Sequence, residues 1–299
     1  MRKIVVSLFL VVYSFSFAQD YEWMTSLSFA KKLALAQDKM LFVMWEGAAL
    51  DFQTLIRVEG LSRREYVSIL DNEVISEILW ENFVPVVISE TFYEDLLSEI
   101  EGKRSTRYID KFNDDSVKIM DANGNILNSR AYFNEEFGFN WEKILKTYAI
   151  NTKFLREELK SYAKKQNFVT AYRLAKKYLD LAIVRNKDIE RELIDLASIY
   201  INEAKGFAKS EAQNQQAILL QKCNLLSQFE WALRDKPKKL LRVLKDFGEE
   251  GVASANKSLF NLLNFTAYAL LKNTDGMEAW RSKVSLVDLK KVTLIMNKN

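Results

Sequence analysis

Two patterns of apolar residues succeed each other along the chain. Between residues 22 and 150, short continuous apolar runs alternate with helically spaced segments; from residue 151 onward only the helical spacing remains. Met40-Leu41-Phe42-Val43-Met44-Trp45 is the strongest run, and its length and its aromatic and branched side chains predict a central strand buried on both faces. Phe83-Val84-Pro85-Val86-Val87-Ile88 predicts a second strand, at a sheet edge or bulge because Pro85 has no N–H for a ladder. Helices are expected over 21–37, with Leu27, Ala30, Leu33 and Ala34 on one stripe and Ser28 able to cap, and over 50–70 with a break at Gly60-Leu61-Ser62. Further helices are expected over 74–82, capped by Asp71 or Asn72, over 91–100 and over 141–150. Val117 to Leu127, turning at Asp121-Ala122-Asn123-Gly124, predicts a β-hairpin.

In the second half, Phe168, Ala171, Tyr172, Ala175, Tyr178, Leu179 and Ala182 form one stripe, and Ile189, Leu193, Ala197, Tyr200, Ile201 and Ala204 another. The segments 211–233, 238–248, 255–272 and 285–296 are also helical by spacing. Breaks fall at Arg185-Asn186-Lys187, Lys236-Pro237 and Asn273-Thr274-Asp275-Gly276, so consecutive antiparallel helical hairpins are expected. NFVTAYRLAKKYLDLA resembles the second helix of a tetratricopeptide unit. Without a clean repeat period the expectation is a TPR-like or irregular helical-hairpin array.

Composition narrows the chemistry. The chain has 299 residues, no histidine, and one cysteine, Cys223. The usual general base and the commonest metal ligand are therefore absent, and a two-cysteine redox centre is excluded. Arg2 and Lys3 precede an apolar run from Ile4 to Val12, and Ser16-Phe17-Ala18 offers small residues before a cleavage point at Gln19. This is the pattern of a secretory signal peptide over 1–18, and it predicts export to a periplasmic or extracellular, bacterial setting, with no transmembrane segment in the mature chain. Residues 19–150 carry 14 basic and 23 acidic side chains, whereas residues 151–299 carry 27 basic and 17 acidic. The shift predicts two modules, 19–150 and 151–299, either facing each other with opposite charge or offering a basic face to an acidic partner.

Three stretches of the first module carry a family resemblance: AKKLALAQDKMLFVMW, DNEVISEILWENFVPVVIS and VKIMDANGNIL. In their order of helix, strand, helix, strand and hairpin, residues 22–150 resemble the thioredoxin-like fold of secreted bacterial proteins. The implied fold class is an α/β thioredoxin-like domain followed by an all-α domain. The resemblance places the family's cysteine pair within Ala49 to Gln53, where no cysteine occurs, and its cis-proline at Asp115. The degenerate site positions are then Trp45, Glu46, Ala49, Leu50, Asp51, Gln53 and Asp115, and the family's redox activity is not carried over.

Other candidates are weaker. Cys223 lies among Leu219, Leu220, Leu225 and Leu226, which predicts core packing rather than reactivity. Asp110, Asp114, Asp115 and Asp121 lack EF-hand spacing, and a turn accounts for Asp121 to Asn125. Lys236, Lys238, Lys239, Arg242 and Lys245 line a half-buried helix. Near-neutral net charge in an exported chain argues against nucleic acid. No cofactor or metal is expected. The function expected is a redox-inactive binding or scaffolding module for a protein or envelope component. The alternatives are a non-redox enzyme using Glu46, Asp51 and Asp115 as carboxylates, or oxidoreductase-related activity through a partner.

Overall fold

The computed structural model describes residues 22–50, 55–57, 66–70, 72–131 and 139–298. The expected signal peptide lies outside these residues. The first half runs α1 (Leu27–Gln37), β1 (Met40–Trp45), α2 (Glu46–Leu50), β2 (Leu55–Arg57), β3 (Tyr66–Ser68), α3 (Glu73–Asn82), β4 (Phe83–Ile88), α4 (Tyr93–Ile100), α5 (Thr106–Asn113), β5 (Lys118–Met120), β6 (Phe139–Asn140) and α6 (Trp141–Tyr148). The second half is helical throughout: α7 (Arg156–Lys164), α8 (Phe168–Val184), α9 (Lys187–Ala208), α10 (Gln213–Ser227), α11 (Phe229–Leu233), α12 (Pro237–Phe247), α13 (Lys257–Leu270), α14 (Thr274–Arg281) and α15 (Leu286–Lys298).

All six residues of β1 are buried, as an apolar run without alternation requires when helices cover both faces. Met40, Phe42 and Met44 join a core that continues through α8, α9 and α13 as far as Ile295. Leu41, Val43 and Trp45 face a smaller core under α1 and α5. β4 pairs parallel with β1, and β5 pairs antiparallel on its other side, giving the order β4-β1-β5. Pro85 sits on the edge strand β4; beyond it Met24 forms the next bridge, its N–H donating to the Pro85 carbonyl at 3.0 Å. Two other caps follow ordinary helix chemistry. Ser26, not Ser28, accepts from the Phe29 N–H, and Asn72 accepts from Ile75 at 3.0 Å.

The expected thioredoxin-like domain followed by a helical domain is not the architecture found. The structure is mostly helical, with a small mixed three-stranded sheet and a second set of very short strands in the order β3-β2-β6. Two local causes are visible. The second arm of the expected hairpin forms no strand beside β5, only a single bridge between Met120 and Ile126. Beside it the Leu127 N–H donates to the Ile119 carbonyl at 2.7 Å, and beyond that the buried Asn128 amide continues the pairing, accepting from the Ile119 N–H at 2.8 Å and donating to the Val117 carbonyl at 2.9 Å. The expected helix over 50–70 is also corrected, since 55–57 and 66–68 pair as antiparallel strands.

Asn128→Ala removes a donor and an acceptor from a fully buried strand edge, and the expected loss is about 2 kcal/mol. Urea unfolding reads it as a lower midpoint at unchanged slope. A change below about 0.5 kcal/mol would mean that water reaches β5 and that the amide does not continue the pairing.

In the helical half, the break expected at residues 273–276 is a helix start: the Asn273 side chain accepts from the Gly276 N–H at 2.9 Å and opens α14. Gly276 is required there by packing, because a Cβ would lie 2.2 Å from the Tyr268 ring of α13. Pro237 takes the first-turn position of α12, where its missing N–H is harmless. Cys223 is fully buried, and burial pushes its thiol up to about 11.

Candidate functional site

The end of β1, where the resemblance places a redox site, is filled. The Trp45 ring packs against Phe112 at 5.3 Å and Tyr93 at 5.8 Å, and its indole N–H donates to the Phe112 carbonyl at 2.9 Å. Glu46 and Ala49 belong to α2, with Ala49 buried and the adjacent Gly47 N–H donating to Glu90 at 2.7 Å. Leu50 closes α2; its side chain, Asp51 and Gln53 lie outside the described residues. Asp115 is exposed between α5 and β5. Nothing among the described residues links Glu46 to Asp115, and no group of three or more acidic, Cys or His residues there could hold a metal ion.

Behind this plug, the side chains of Lys111 and Lys118 are buried around Asp114. Lys118 Nζ donates to the Asp114 and Ser116 carbonyls and lies 5.9 Å from the Trp45 ring centroid. Burial lowers its pKa to about 8 against the opposing pull of Asp114. Its acceptors occupy the amine, so this cluster ties α5 to β5 rather than presenting a nucleophile.

The more capable site lies on the seam between the small sheet and helices α8 and α9. Its base is a buried polar network. Asp121, with no exposed surface, accepts the Asn123 and Asn125 N–H groups on Oδ1, at 2.9 and 3.0 Å, and the Tyr178 and Tyr200 hydroxyls on Oδ2. Burial raises its pKa although these donors pull it down. The Asn125 amide donates to the Tyr200 oxygen at 3.0 Å and accepts from Arg104 at 3.0 Å. Arg104 also donates to Glu203 of α9 at 2.5 Å, and Glu203 accepts the Tyr162 hydroxyl. Arg104 Nε is buried with no hydrogen-bond partner among the described residues.

Over this base opens a cleft of about 480 Å³ between the start of α5 and the side of α9. Lys103, Arg104, Arg107 and Arg130 line it, with Asp195 as the one carboxylate among its lining residues. Arg130 pairs with Asp195, while Lys103 and Arg107 pair with no carboxylate among the described residues. Ser105 caps α5, so the unsatisfied N–H groups and positive end of that helix also face this region. The lining is predominantly cationic, with Asp195, Ser105, Ser129 and Ser198 among its other residues.

Ion pairs cross between the two halves of the chain in both directions. Arg156 of the basic half clamps Asp38 of the acidic half, yet Arg104 and Arg130 of the acidic half reach Glu203 and Asp195 of the basic half. The cleft was not among the sequence candidates, although Lys103-Arg104-Ser105-Thr106-Arg107 concentrates three cations around a helix cap. Among the described residues, no helix is long and apolar enough to cross a membrane. Comparison of the chain with protein-family models, curated proteins and solved structures found no match, and nothing in them indicates a thioredoxin-like family.

Proposed function

We propose that this protein is an exported, non-catalytic binding module that holds an acidic group of a protein or envelope partner in the cleft between α5 and α9. One observation carries the reading: four cations converge on a cleft with a single lining carboxylate, and two of them have no carboxylate partner among the described residues. The network beneath holds Arg104 in place before any ligand arrives, which lowers the ordering cost of binding. The signal-like pattern of residues 1–18 supports export, and the lack of histidine with a lone buried cysteine supports a non-catalytic role.

Thermal unfolding with sodium sulfate, against sodium chloride at equal ionic strength, tests this with sulfate as the probe. A site-bound anion at ten times its Kd adds about 1.4 kcal/mol, or roughly 2 °C in Tm. The expected result is a sulfate-specific rise that the exposed Lys103→Gln/Arg107→Gln double variant loses without a change in its Tm in chloride. Equal shifts in the two salts, or a sulfate rise that survives the double variant, would overturn the assignment of the cleft.

A further inference from the structure

A second concavity lies entirely within the helical half, remote in sequence from the seam cleft. It is a groove of about 220 Å³ walled by α8, α10, α13 and α15. Its apolar part is made by Leu179, Leu226, Phe229 and Leu262, which are all buried and fixed by the surrounding core. Its charges are unevenly satisfied. Lys291 is paired with Asp180 at 2.5 Å, and Asp288 accepts from Ser285 at 2.8 Å, so both wall carboxylates already have partners. Lys176 and Lys222 have no carboxylate partner among the described residues; Lys222 Nζ stands 4.9 Å from the centroid of the Tyr172 ring. Tyr172 also lines the groove, and its hydroxyl makes no hydrogen bond among the described residues. Burial raises its pKa, so it stays a donor across the physiological range.

We propose that this groove binds a small amphipathic carboxylate, with its apolar body on Leu179, Leu226 and Leu262 and its carboxylate among Lys176, Lys222 and the Tyr172 hydroxyl. Charge complementarity selects the sign of the head group, since the two free cations lie where the wall carboxylates are already used. The apolar floor selects a ligand with a tail over a bare anion, in contrast to the polar seam cleft. Cys223 lies behind Tyr172, but burial keeps it a thiol, so the ligand is held without covalent capture.

Calorimetric titration of the full chain with octanoate, octanol and butyrate separates the two halves of this recognition. Octanoate is expected to bind one site per chain, about tenfold tighter than octanol, which lacks the charge, and than butyrate, which lacks most of the tail. In the Lys176→Gln/Lys222→Gln double variant the octanoate advantage over octanol should vanish while octanol binding stays. The Lys103→Gln/Arg107→Gln variant of the seam cleft should leave octanoate binding unchanged. Octanoate and octanol binding alike in the parent chain, octanoate affinity surviving the groove variant, its loss in the seam variant, or no saturable binding would each overturn the proposal.

Discussion

Replacing Asp121 with alanine is expected to lower the free energy of unfolding by about 4 kcal/mol, because it strands four donors at once, three of them buried. Two are the backbone N–H groups of Asn123 and Asn125, and two are the hydroxyls of Tyr178 and Tyr200, whose rings stack 5.7 Å apart. Each orphaned group costs about 1 kcal/mol or more, and stability of the whole fold is only about 5–15 kcal/mol. Asp121→Asn should cost less than alanine, since its Oδ1 keeps both backbone donors and its amide can donate to the tyrosine oxygens. Tyr178→Phe removes one donor from an oxygen that keeps Tyr200, so about 1 kcal/mol is expected. Tyr200→Phe also deprives the Asn123 and Asn125 amides of an acceptor and should cost about twice that. Denaturant unfolding of the four variants checks this order. A loss below about 1 kcal/mol for Asp121→Ala would show that the network does not hold the sheet to α8 and α9.

That network marks where the sequence stops being legible. The turn at Asp121 to Asn125 follows from local chemistry, with Gly124 at φ +90° and the Asp121 carboxylate bonding its own backbone. Tyr178 and Tyr200 also fall on the expected buried stripes of α8 and α9. Their meeting on Asp121 does not follow, because they lie 57 and 79 residues away and apolar periodicity carries no record of a hydroxyl's partner. β1 was readable because burial on both faces leaves an unbroken apolar run. β2 and β3 were not, since three-residue strands are too short to separate a two-residue from a helical period. The hairpin's second arm stays short because a side-chain amide, Asn128, continues the pairing where the backbone leaves off. α5 escaped because it is polar on most of its surface, and the seam cleft escaped because its walls come from residues 103–107, 129–130 and 195–202.

Glu192→Gln is expected to stabilise the protein at pH 8 and to leave it nearly unchanged at pH 4. Glu192 is a buried residue of α9; one oxygen accepts from the Tyr148 hydroxyl at 3.1 Å, and the other is buried with no well-formed hydrogen bond among the described residues, the Arg130 backbone N–H being a further donor that acts on the carboxyl. Burial raises its pKa from 4.5 to about 7, with Asp195 adding to the rise and Lys111 opposing it. In the unfolded chain the carboxyl ionises near its ordinary value, so between about pH 4.5 and 7 the folded state holds a proton that the unfolded state has lost. The stabilisation from the neutral, hydrogen-bonded acid is therefore complete below pH 4.5 and gone once pH passes the folded value. By that linkage the buried charge costs up to about 3 kcal/mol at pH 8 relative to the neutral form. Glutamine keeps an acceptor for Tyr148 and carries no charge, so its advantage should open between pH 5 and 7 and then level off. Unfolding free energies of both proteins from pH 4 to 8 measure the difference directly. Parallel curves would show that Glu192 titrates in the folded protein as it does in the unfolded chain and that its second oxygen is solvated.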